Sequence, residues 1–307
     1  MTRVLVLGGS GMLGHRVAIE LAGQGGLDLH VTVRRPVPEG FRPPGARYHE
    51  GVDLAAGPGP IVRLLGNLAP DVVVNAVGAI KQKELASDIA GTFYLNGSLP
   101  HMLALLNPNP HGRVVQVSTD CVFRGDRGHY RQEEPPDAED LYGRSKAVGE
   151  LAYGRHLTFR TSIVGFELAG HLGLISWFFK QPPGSRLNGY AGARYSGLTT
   201  RALSRLIADV LTQGEFPTGL WQVASRPITK FELLTRINKV FSLGHTLVPD
   251  EAVRSDHTLD DGPFRRLTGT RTAEWDDLIE DLRNDWLMLP YPGVYAALRP
   301  TAGAQTA

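Results

Sequence analysis

The 307-residue chain predicts an α/β protein, a doubly wound parallel sheet followed by a smaller C-terminal lobe. Three observations carry that reading. Short apolar runs at residues 3–7, 27–33, 71–77, 113–118 and 156–164 alternate with helical segments, as in βαβ units. The first run passes straight into Gly8-Gly9-Ser10-Gly11-Met12-Leu13-Gly14 and an amphipathic helix. The fourth ends in Ser118-Thr119-Asp120, and a helical segment beginning near Leu141 then carries Tyr142 and Lys146.

Composition narrows the class. Hydrophobic residues make up 42% and charged residues 21%, as in an ordinary globular protein. The net charge of +1, without a long basic run, argues against a nucleic-acid surface. No stretch has the length of a transmembrane helix, so no membrane partner is expected. The N-terminus enters a strand instead of a signal peptide, and cytoplasm is the expected location. A single cysteine excludes an internal disulfide framework.

Taken in order, the run at 3–7 is the first strand. Glycines 8, 11 and 14 have the spacing in which a tight turn leads into a helix N-terminus and lets backbone approach a pyrophosphate. The helix over 12–21 has apolar residues at 13, 17, 18 and 21, one buried face. Ser10, Met12 and Leu13 belong to the same dinucleotide loop of a Rossmann sheet. The strand at 27–33 bears on the cofactor. An acidic residue at its end would accept a ribose 2′-hydroxyl, but the chain has Arg34 and Arg35 there, while Asp28 sits at the other end. Guanidinium groups suit a 2′-phosphate, so NADPH is expected; a solvated loop edge is the plainer alternative.

Residues 36–47 read as loop and 48–52 as a third strand leading to Asp53-Leu54, where Asp53 has the alternative of a helix N-cap. The run at 71–77 is apolar enough for a strand covered on both faces, and it leads into Ala76-Val77-Gly78, small enough for close backbone approach. Lys81 follows and could meet a substrate phosphate. Residues 92–106 predict a helix kinked at Pro100, with Asn96 inside it. Tyr142 and Lys146 fall on one helix face, where an ammonium beside a phenol favours the phenolate. Alone, that spacing is weak evidence; behind a strand-end Ser-Thr and a glycine loop it predicts catalysis.

STDCVF (118–123) followed by YGRSK (142–146) resembles the extended short-chain dehydrogenase/reductases, and within them the dTDP-4-dehydrorhamnose reductase branch. The resemblance implies Thr119, Tyr142 and Lys146 as catalytic residues, Tyr142 as general acid, with Ser118 and Thr119 at the substrate. It also implies that Tyr142 and Lys146 touch the cofactor, that Asp53 and Leu54 meet the adenine, that Ala76, Val77 and Gly78 pass over it, and that Asn96 supports the lysine. Arg160-Thr161-Ser162 is close to an Arg-Thr-Ser of the same family. The implied reaction is NADPH-dependent reduction of a 4-keto sugar nucleotide. Cys121 stands where related dehydratases carry a glutamate, which removes their carbon base. An epimerase, or a non-catalytic regulatory subunit like the β subunits of methionine adenosyltransferase, remains the alternative.

Beyond residue 164 the pattern changes. Residues 173–180 carry Trp177, Phe178 and Phe179, and a Gly-rich stretch then offers Arg186, Arg194 and Tyr195 as contacts for a nucleotide sugar. Residues 199–211 predict a helix returning to the main sheet and 220–223 a short strand after it. Thr229 and Glu232 have capping-box spacing, and Trp275, Leu278 and Leu282 suit a last helix. The expected division is a dinucleotide-binding domain over 1–164, completed by about 199–224. Residues 165–198 and 225–298 form the substrate-binding lobe, and 299–307 a disordered tail. No metal is expected, the partner is the nucleotide-sugar substrate, and a homodimer stays possible.

Overall fold

A computed structural model of the chain describes residues 1–80, 88–168, 172–212 and 216–298. The central sheet holds β1 (Thr2–Leu7), β2 (Leu27–Thr32), β3 (Arg47–His49), β4 (Val72–Asn75), β5 (Arg113–Val117), β6 (Leu157–Arg160) and, after four short strands, β11 (Gly219–Gln222). Its order is β11-β6-β5-β4-β1-β2-β3, and every pairing is parallel. The chain reverses its direction of travel between β1 and β4. Such a reversal opens a crevice outside the C-terminal ends of the strands.

Helices α1 (Gly14–Ala22), α2 (Gly59–Leu68), α3 (Ile89–Phe93), α4 (Leu99–Leu106) and α5 (Leu141–Val148) connect the first six strands. α6 (Leu174–Phe179) and α7 (Thr200–Thr212) precede β11; α8 (Lys230–Val240), α9 (Gly262–Thr268), α10 (Trp275–Met288) and α11 (Val294–Ala297) follow it. Side chains of β1 alternate between two cores. Val4 and Val6 pack with Val17 and Leu21 of α1, Leu203 and Ile207 of α7, and Leu278 and Leu282 of α10. Leu5 and Leu7 pack on the other face with Ile61, Leu65, Leu99 and Leu103. Each such side chain contributes about 1.5–3 kcal/mol when fully buried, so a one-residue slip of β1 would empty both cores.

The lobe is made of short pairings. β7 (Ile163–Val164) runs beside β10 (Leu198–Thr199), and β8 (Arg186–Tyr190) beside β13 (Thr246–Asp250). β9 (Ala193–Tyr195) lies between β12 (Ile228–Thr229) and β14 (Ser255–Asp256). The Thr229–Glu232 capping box starts α8 as the sequence indicated.

Several boundaries differ from the sequence reading. The third strand stops at His49 because Gly51 turns the chain with φ 72°. The strand expected over 156–164 divides into β6 and β7. The helix expected over 92–106 is broken by a π turn at Tyr94–Ser98, one turn ahead of Pro100. Pro100 itself lies in the first turn of α4, where a missing N–H leaves no bond unmade. The helix carrying Trp275 is not the last, since α11 follows it. Lys81 and the tail at 299–307 lie outside the described residues.

Candidate active site

A cleft of about 1090 Å³ opens at the sheet's reversal point. β1 delivers the glycine loop to one end of it. Gly8 has φ 82°, and a Cβ there would come within 2.9 Å of Val77 Cγ2. A Cβ on Gly14 would lie 2.1 Å from the Gly8 carbonyl oxygen, so only glycine lets α1 pack on the turn. Gly14 therefore acts from beneath, whereas Gly8, Ser10, Gly11, Met12 and Leu13 form the wall. The first turn of α1 has neither a side-chain cap nor an acidic residue. The positive end of its helix dipole suits an anion.

Arg34 lines the cleft just beyond β2; Arg35, also exposed, does not. Asp28, at the far end of β2, is held by Arg3 at 2.9 Å and by Arg47. Asp53 accepts from Ala55 N at 3.0 Å as a cap and lines the cleft with Leu54, so its two sequence readings are compatible. Ala76, Val77 and Gly78 line it too. A side chain on Gly78 would meet Asn96 Oδ1 at 2.9 Å. Asn96, expected to support the lysine through water or backbone, bonds backbone of the neighbouring loop. It accepts from Ala79 N (2.9 Å) and donates to Ala79 O (3.1 Å) and Ser145 Oγ (3.0 Å), tying this loop to α5.

The chemistry-bearing wall lies beyond β5. Thr119 caps a 3₁₀ turn, its oxygen accepting from Cys121 N at 3.1 Å, while its one hydroxyl hydrogen is donated to Asp120 Oδ1 at 3.0 Å. Tyr142 lines the cleft together with Thr119. Asp140 caps α5 through Gly143 N and sets the register that presents Tyr142 and Lys146 to the cleft. Lys146 Nζ donates to the Val117 carbonyl at 2.5 Å. Burial holds the Lys146 ammonium down to about 8, opposed by the Glu150 carboxylate.

The expectation that Lys146 makes Tyr142 easier to ionise is reversed in this arrangement. Burial pushes the Tyr142 phenol well above its ordinary value, and Cys121, Asp120 and Asp140 add to the rise, against an opposing influence of Thr119. A protonated phenol is the form that donates a proton. Ser118 lines the cleft, but its hydroxyl is committed to Glu150 Oε1 at 2.8 Å. Glu150 also accepts a two-point contact from Arg160 at 2.8 and 2.7 Å, a buried pair beneath the site.

The facing wall comes from the lobe. Arg194, Tyr195, Lys230, Ser255 and His257 line it. Arg186 does not: it opens β8, exposed, with that strand paired to β13. Tyr195 is buried against Trp275 at a ring distance of 5.6 Å, and its hydroxyl has no hydrogen-bond partner among the described residues. Nδ1 of His257 is likewise buried and unpartnered. Glu150, Lys230, Ser255 and His257 escaped the sequence reading because each enters through tertiary pairing, with no local motif to mark it.

A family model described as the RmlD substrate binding domain matches residues 1–171. The dTDP-4-dehydrorhamnose reductase of Burkholderia thailandensis is 33% identical over 167 residues, covering 53% of this chain and 50% of that protein. Methionine adenosyltransferase 2 subunit beta of Bos taurus is 29% identical over 154 residues, covering 49% and 42%. The chain thus spans about half the length of these curated relatives. Among solved structures, a dTDP-4-dehydrorhamnose reductase from Bacillus anthracis in complex with NADP superposes with a TM-score of 0.74 at 17% identity, covering 93% of this chain and 100% of that one. The matched residues contain the whole glycine loop and the Thr119, Tyr142 and Lys146 wall, and on that ground the chain belongs to the RmlD substrate binding domain family.

Proposed function

We propose that the protein is an NADPH-dependent reductase of a 4-keto sugar nucleotide. The observation that carries this reading is the convergence of Thr119, Tyr142 and Lys146 with the glycine loop and Arg34 on one cleft. The cofactor fits the residues present. Gly8 and Gly14 leave no room for a Cβ in the loop, and Arg34 stands at the end of β2, where a guanidinium suits a 2′-phosphate. When bound, NADPH supplies a hydride for the C4 carbonyl of the substrate.

The chain's own residues do the rest. Tyr142 donates its phenolic proton to the carbonyl oxygen as the C4 hydroxyl forms. Thr119 positions that oxygen beside Tyr142, which requires its hydroxyl to turn from Asp120. Lys146, charged below about pH 8, holds the cofactor's nicotinamide ribose and returns the tyrosine to its protonated state. The relatives named dTDP-4-dehydrorhamnose reductase support this substrate class.

The test uses NADPH deuterated at the transferable position and a panel of 4-keto-6-deoxy sugar nucleotides. Deuterium at C4 of the product is the expected result; recovery of unlabelled substrate across the panel would contradict it. The match to a methionine adenosyltransferase β subunit favours a second reading, a cofactor-binding regulatory subunit. Saturable NADPH binding without label transfer would favour that one.

A further inference from the structure

Beneath the glycine loop a line of buried polar groups runs from Gly11 to the C-terminal segment. His15 of α1 is fully buried; its Nδ1 lies 2.8 Å from the Gly11 carbonyl oxygen and its Nε2 lies 3.0 Å from the Tyr291 hydroxyl. That hydroxyl is 2.8 Å from Asp285 Oδ2, and Asp285 Oδ1 pairs with Arg16 at 2.9 Å. The three contacts from Gly11 to Asp285 each need a hydrogen. A neutral imidazole and a phenol carry one apiece, and a carboxylate carries none. With two hydrogens, one contact sets lone pair against lone pair in a buried place, a costly arrangement.

We infer that His15 and Tyr291 are positioning residues for the dinucleotide's pyrophosphate, acting through Gly11, and that the line from Gly11 to Asp285 holds one further proton. With Asp285 as the acid, every contact is satisfied. Asp285 donates to Tyr291, Tyr291 donates to His15 Nε2, and His15 Nδ1–H donates to the Gly11 carbonyl. That carbonyl is then held down on α1 while the loop's outer face meets phosphate.

The surroundings agree with this placement. Burial holds the His15 imidazole down to about 3, so the proton does not rest there. Burial raises the Asp285 carboxyl, against the pull of Arg16 and Arg201. The groups facing the line are Arg16 and Glu20 from α1, Arg201 and Arg205 from α7, Asp281 from α10, and Tyr295 beside Tyr291. Since the Asp285 carboxyl is raised, the completed line is present at low pH and is lost as pH rises through its elevated value.

The effect on the dinucleotide rests on the function proposed above, whereas the buried proton does not, and the experiment separates them. Ring-¹⁵N NMR of histidine in the free protein should find His15 Nδ1 protonated at mildly acidic pH; a bare Nδ1 overturns the inference. Asp285→Asn supplies the donor without titrating and keeps an oxygen for Arg16. NADPH affinity of the wild type should weaken as pH rises by more than that of Asp285→Asn, whose profile follows only Lys146 and the cofactor's own phosphate; parallel profiles overturn the inference. Tyr291→Phe should weaken NADPH about fivefold, leaving kcat unchanged; an unchanged Kd in folded variant would sink the positioning role. If neither protein binds NADPH while the carboxyl ¹³C shift of Asp285 reports a protonated acid at mildly acidic pH, the cofactor assignment falls and the buried proton stands; an ionised Asp285 there overturns the buried proton.

Discussion

On one wall of the cleft, three side chains beside Tyr142 are already held: Thr119 by Asp120 and Cys121 N, Lys146 by the Val117 carbonyl, Ser118 by Glu150. On the facing wall, the Tyr195 hydroxyl and His257 Nδ1 are buried with no partner among the described residues. The first wall hangs on parallel strand ends and one helix, the second on strands of three and two residues and the first residue of α8. A wall whose side chains are already bonded holds them near their working places before a ligand arrives, with the Thr119 hydroxyl left to turn. A wall with unmet hydrogen bonds favours a ligand that completes them and rejects one that does not. On the function proposed above, chemistry falls to the sheet and selectivity to the lobe.

The largest effect should come from the sheet wall. Tyr142→Phe removes the donated proton and keeps the ring, and kcat should fall by about 10²–10⁴-fold with NADPH binding retained, read in steady-state kinetics and a separate binding titration. A change in KM alone would place Tyr142 with the selectivity wall. Next in size is the cofactor end. Arg34→Ser should weaken NADPH by at least about tenfold, or ~1.4 kcal/mol, and NADH much less, while Arg35→Ser, off the cleft, should do less. Equal losses for both cofactors would remove the 2′-phosphate role.

The lobe wall should respond more weakly and differently. Tyr195→Phe deletes an unpartnered hydroxyl, so melting temperature should hold while KM for the sugar nucleotide rises about fivefold at constant kcat. A fall in kcat with KM unchanged would break the division between the walls. The smallest effect concerns Lys146, whose folded-state value is lowered from 10.5 to about 8. The folded protein sheds this proton before the unfolded chain does. Wild-type stability should therefore gain on Lys146→Met as pH rises from about 8 to 10.5, measured by denaturant unfolding at several pH values; a gap independent of pH would contradict the buried charge.

How far the sequence could be read follows the same division. The glycine loop was legible because its backbone demand and chemistry sit within seven consecutive residues. Tyr142 and Lys146 were legible because helical spacing alone puts them on one face. The electrostatic consequence was not, since it depends on burial and on where Lys146 Nζ finds its acceptor. Arg186 was misplaced for a related reason: Arg and Tyr in a Gly-rich stretch mark ligand-binding chemistry, but β8 pairing with β13 decides which of them reaches the cleft. His257 had no signal at all, because β14 brings it in beside β9. The π turn ahead of Pro100 was equally hidden, although it carries the Asn96 that clamps the Ala79 loop to α5.

We propose that the sheet wall moves a proton as a cofactor hydride reaches a sugar ketone. The most direct test follows nicotinamide absorbance when wild type and Tyr142→Phe, each saturated with NADPH, are mixed with a 4-keto-6-deoxy sugar nucleotide. The account predicts stoichiometric NADPH oxidation by the wild type and a rate slower by about 10²–10⁴-fold in the variant. Equal rates in the two proteins, or bound NADPH that neither ever oxidises, would contradict it.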